Sequence, residues 1–109
     1  MLVLNSVNEK IFIDQHQESI ESLTKLVKER EDNIKGLHET IKDLQQQEDE
    51  AIALELKDKP SQFGLLIQKL KDANDALLWN ISQRAKFVAQ IRFHEGRISY
   101  YLQQINNAR

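Results

Sequence analysis

Apolar residues recur along this chain at alternating steps of three and four, in two long stretches that meet at its only proline, Pro60. The first series runs Ile13, His16, Ile20, Leu23, Val27, Arg30, Ile34, Leu37, Ile41, Leu44, Glu48, Ala51. The second runs Phe63, Ile67, Leu70, Asn74, Leu77, Ile81, Arg84, Val88, Ile91, Glu95, Ile98, Leu102, Ile105. A step averaging about 3.5 residues keeps one stripe of a helix turned toward a partner, so each series predicts a long amphipathic helix. Ser6 with Glu9 forms a capping-box pattern, and Pro60 can end one helix and open the next. The expected layout is one helical domain over 1–109, with a helix over about 7–57, a turn at 58–61 and a helix over about 61–106.

Charge supports pairing of the two segments. Residues 1–58 carry 14 Asp/Glu and 7 Lys/Arg, and residues 59–109 carry 3 and 8. Oppositely charged segments joined by a short turn favour an antiparallel hairpin. Setting Ala51 against Ile67 places Ile20 against Ile98, Val27 against Ile91, Leu37 against Ile81 and Ile41 against Leu77, centred on Lys59. In that register Glu48 faces Leu70, Leu44 faces Asn74, Ile34 faces Arg84 and Leu23 faces Glu95, four polar mismatches that weaken the seam but can fix register. The fold class is therefore all-α: a long, coiled-coil-like antiparallel helical hairpin. Gly36, after Asn33, is a place where the first helix can break, and two hairpins can pair into a four-helix bundle.

Several function classes are disfavoured. With no cysteine, there is no disulfide framework, thiol nucleophile or Cys-based zinc site. His38-Glu39 and His94-Glu95 resemble acid–base pairs, but neighbouring helical residues point about 100° apart. No HExxH, phosphate loop or GxSxG turn occurs. The chain reads as a non-enzyme with no cofactor and no metal site. Arg84, Lys86, Arg92 and Arg97 interleave with Phe87, Phe93, Tyr100 and Tyr101, a composition that could stack nucleic-acid bases. The acidic first helix accounts for this basic bias more simply, so no nucleic-acid partner is expected. No apolar run is long enough to span a membrane, no secretory leader is evident at Met1–Asn5, and a cytoplasmic setting is the expectation.

The informative residues lie off the seam. Leu65, Trp79, Phe93 and Tyr100 take the outward position of the second helix. Phe12, Leu26 and Leu54 form one flank with Leu66, Ala73, Phe87 and Tyr101, while the opposite flank is mostly polar. An isolated hairpin in this register leaves that flank bare. It can be covered by a second copy, by a folded-back piece of a broken first helix, or by an amphipathic helix of another protein. The candidate partner-binding residues are Leu65, Leu66, Asn74, Trp79, Phe87, Phe93, Tyr100 and Tyr101.

The stretches Leu23-Thr-Lys-Leu-Val-Lys-Glu-Arg30 and Ile34-Lys-Gly-Leu37 resemble the first hairpin repeat of flagellar type III export chaperones of the FlgN/FliT type. Leu66-Ile-Gln-Lys-Leu70, Ala73-Asn74 and Leu77-Leu78 are similar to their second long helix, and Arg97-Ile-Ser-Tyr100-Tyr-Leu-Gln to the tyrosine-bearing end of some FliT-type members. The resemblance spans about residues 18–102. It implies a cytoplasmic helical chaperone that holds the C-terminal amphipathic helix of a late export substrate, a filament cap or hook–filament junction protein. Asn74 is the one motif position it carries over. The chain is short for the FlgN branch and has no evident separate C-terminal helix.

Overall fold

The computed structural model describes residues 2–54 and 60–107. Among these there are two helices and no strand: α1, Leu2–Ala53, and α2, Pro60–Asn107. The fold is an antiparallel helical hairpin. The expected turn, with Lys59 at its centre, falls largely outside the described residues.

Both ends of α1 differ from expectation. It starts at Leu2, so Ser6 lies within the helix and is no N-cap. It stops at Ala53, four residues before the expected end. Pro60 opens α2, where its fixed φ and missing N–H carry no penalty. Gly36 does not break α1, because a mid-helix glycine costs about 1 kcal/mol and the half-buried Ile34 and Leu37 hold α1 to its neighbour on either side. No folded-back piece of α1 exists to cover a flank.

The α1 stripe is buried or half-buried at every position of the expected series from Ile13 to Ala51. On α2 about half of the series holds. Phe63, Leu70, Leu77, Val88, Ile91, Ile98 and Ile105 turn inward, but Ile67, Asn74, Ile81, Arg84, Glu95 and Leu102 are exposed. Their places are taken one residue earlier, by Leu66, Ala73, Asn80, Gln83, His94 and Tyr101, and Phe87 turns inward beside Val88. The register moves with this rotation: Arg30 meets Asn80 and His16 meets His94, where the expected register set His16 near Leu102.

Polar satisfaction explains the choice. The expected register pressed Asn74, Glu95 and Arg84 against leucines and isoleucine, with no partner for any of them. The observed one brings Asn80 and His94 inward instead, and each meets a hydrogen-bonding group on α1. An unmet polar group in a seam costs about 1–3 kcal/mol, more than the difference between neighbouring apolar side chains such as Leu66 and Ile67.

The chain forms two compact units: residues 1–29 with 84–109, and residues 30–83. The second unit is built on Ile41, Leu44, Leu70 and Ala73, with Leu66 and Leu77 packed against them. The buried Asn80 side chain orders its other end. Its Oδ1 accepts from Arg30 Nη1 at 3.2 Å and Asn33 Nδ2 at 3.4 Å, and its Nδ2 donates to the Ala76 carbonyl at 2.8 Å. In the first unit Ile13 and Ile105 are buried, and the seam between them is closed mainly by half-buried aliphatic and aromatic side chains.

Candidate functional site

The rotation of α2 divides the eight candidate residues. Leu66, Phe87 and Tyr101, expected on an open flank, are half-buried in the seam. The α2 half of the flank that the sequence reading left bare is therefore covered by α1, while its α1 members, Phe12, Leu26 and Leu54, stay exposed. Leu65, Trp79, Phe93 and Tyr100 are 47–60% exposed, and Asn74 is also exposed. Ile67, Ile81 and Leu102 join the surface instead, so the opposite side of α2 is less polar than expected.

The exposed aromatic rings are held on one side and open on the other. In the unit formed by residues 30–83, the Arg30 guanidinium lies 5.2 Å from the centre of the Trp79 ring. A cation over an indole face fixes the ring without covering it. At the other end of the same unit Leu65 lines a cavity of about 230 Å³ with Gln47, Ala51, Gln62, Phe63, Leu66 and Lys69. The period of the sequence identifies Leu65 as outward-facing, but the cavity depends on the observed register and could not be read from it.

No family model, curated protein or solved structure matches the chain.

In the unit formed by residues 1–29 and 84–109, aromatic side chains gather around a histidine pair. His16 Nδ1 and His94 Nδ1 are 2.7 Å apart, so one ring donates and the other accepts. Tyr101 stacks on His16 at 6.0 Å and meets Phe12 at 5.4 Å. Phe93 presents an edge-on contact to both histidines. Arg97 lies over Tyr100 at 4.8 Å and Tyr101 at 5.0 Å, and its Nη2 donates to the Tyr101 hydroxyl at 2.9 Å. Burial, and then the neighbouring His94 and Arg97, hold His16 below the usual histidine range. Sequence reasoning placed His94 beside the seam rather than in it, and so missed the pair.

Among the described residues no group of three or more His, Asp or Glu side chains is placed to hold a metal ion, and no helix is long and apolar enough to cross a membrane. What the surface offers is apolar contact: anchored aromatic rings with one face free.

Proposed function

We propose that the protein is a helix-binding adaptor of the chaperone type. It takes an amphipathic helix of another protein onto α2, with an export substrate as the client class that the flagellar chaperone resemblance implies. The observation that carries this reading is the set of outward apolar side chains left exposed on α2, Leu65 and Trp79 in the unit of residues 30–83 and Phe93 and Tyr100 in the unit of residues 1–29 and 84–109. Rings pre-held by Arg30 and Arg97 lose little freedom on binding, which makes them efficient anchors for a partner's apolar stripe. A cytoplasmic setting belongs to the same proposal, because the expected clients are held there before export.

The test is titration of the protein with a synthetic amphipathic helix carrying leucines at heptad spacing, and with the C-terminal helix of a filament-cap protein, read by calorimetry. The expected result is saturable 1:1 binding that Trp79→Ala and Phe93→Ala each weaken about tenfold, since loss of an anchor costs about 1.4 kcal/mol or more. No binding of either peptide, or unchanged affinity in both variants, overturns it.

A second reading is a structural coiled-coil homo-oligomer without a client. Its support is that large apolar side chains stay exposed on both helices, among them Ile11 and Ile52 on α1 and Leu78 and Ile81 on α2.

A further inference from the structure

The histidine pair has a chemistry that the adaptor reading does not use. The two rings meet nearly head-on, because their centroids are 5.0 Å apart while the nitrogens are 2.7 Å apart. Lone pairs aimed at one another leave no common point where an ion could reach both, so the geometry suits a shared proton rather than a metal. One proton between the two Nδ1 atoms makes a hydrogen bond. A second proton makes both atoms donors and sets two cations face to face.

We propose that His16 and His94 form a proton-operated latch between α1 and α2, closed while the pair shares one Nδ1 proton and released when it takes a second. The release is confined to the unit of residues 1–29 and 84–109. The other unit is joined by Asn80, Arg30 and Asn33 rather than by a histidine pair, and its own histidine, His38, is exposed. The inference does not depend on what the protein binds.

Charges face the pair from both helices. From α2, Arg97 stands one turn beyond His94 and opposes further positive charge at His16. From α1, exposed Glu18 lines a groove with His94, and Glu9, half-buried two turns before His16, has a buried Oε2 with no hydrogen-bond partner. A proton added at an Nε2 atom leaves the Nδ1 bond intact. The releasing proton goes to His16 Nδ1, which faces burial, His94 and Arg97 together. Release separates the rings of Phe12 and Tyr101 and exposes the apolar seam around them.

The chain has no cysteine, so spin labels can be placed at will. One label pair goes at Lys10→Cys and Gln103→Cys, and a second at Lys42→Cys and Lys71→Cys, all four sites being exposed. Distances are measured by double electron–electron resonance from pH 7.5 to 5.0. The first pair is expected to broaden and lengthen with a midpoint below 6.5, the ordinary histidine value, while the second stays unchanged. His16→Gln, which can still bond to His94 but cannot take the second proton, is expected to stay closed throughout. If that variant fails to fold, His94→Gln asks the same question from α2. A first pair that ignores pH in the wild type overturns the proposal. So do broadening of both pairs together, and broadening in the glutamine variants at the wild-type pH.

Discussion

Asn80 shows how one polar side chain can select the register of a helical pair. It is buried, and its amide is satisfied from three directions: by Arg30, by Asn33 and by the Ala76 carbonyl. A slip in register would separate it from Arg30 and Asn33 and leave it buried against aliphatic groups. Asn80→Ala should lower unfolding free energy by about 1–3 kcal/mol, the cost of removing an acceptor shared by two donors, read from urea midpoints. Loss of less than about half a kcal/mol would mean that the seam's apolar contacts alone set the register. His16 gives a prediction with a definite sign. Its folded-state pKa lies below its unfolded value of 6.5, first because of burial and then because of His94 and Arg97. Its full contribution is present above 6.5, falls as pH drops through 6.5 and levels off once folded His16 is itself protonated. Urea midpoints from pH 8 to 5 should show this decline in the wild type and a shallower one in His16→Gln.

At the scale of the helix, the two elements were unequally legible. Along the middle of α1 the inward residues Ile20, Leu23, Ile34, Leu37, Ile41 and Leu44 each stand between polar or glycine neighbours, so the period alone identifies the stripe there. Only Ile13 beside Phe12, Val27 beside Leu26 and Ala51 beside Ile52 offer a choice. On α2 the choice is doubled, since Leu66 sits beside Ile67, Phe87 beside Val88 and Tyr101 beside Leu102. Apolar periodicity cannot choose between such neighbours, and the polar partners that do choose lie on the other helix. The exposed set of Leu65, Trp79, Phe93 and Tyr100 was legible because it stays on the outside in either register, whereas the roles of Leu66, Phe87 and Tyr101 changed with the rotation. The glycines offer a test of helix continuity. A Cβ at Gly36 or Gly96 would meet nothing within 4 Å, so alanine adds helix propensity without a clash. Gly36→Ala and Gly96→Ala should each stabilise the protein by about 1 kcal/mol, measured by thermal or urea unfolding. A destabilised Gly36→Ala would show that α1 needs a bend there.

Among the described residues only seven apolar side chains are buried, no large side chain is fully enclosed, and large apolar side chains stay exposed on both helices. A partly aromatic surface of that kind associates with whatever apolar stripe is available, and in a pure sample that is another copy of the chain. The adaptor reading requires this self-association to be weak enough for a client to displace it. Light scattering across a concentration series should give a mass near 12.7 kDa when dilute, rising toward twice that when concentrated. Excess amphipathic peptide should return it to a 1:1 complex. A dimer that persists to nanomolar concentration and ignores the peptide would show that the chain covers its own surface, and the structural reading would replace the adaptor. A monomer at every concentration that also ignores the peptide would remove both readings, because neither occupant would then be drawn to the exposed side chains.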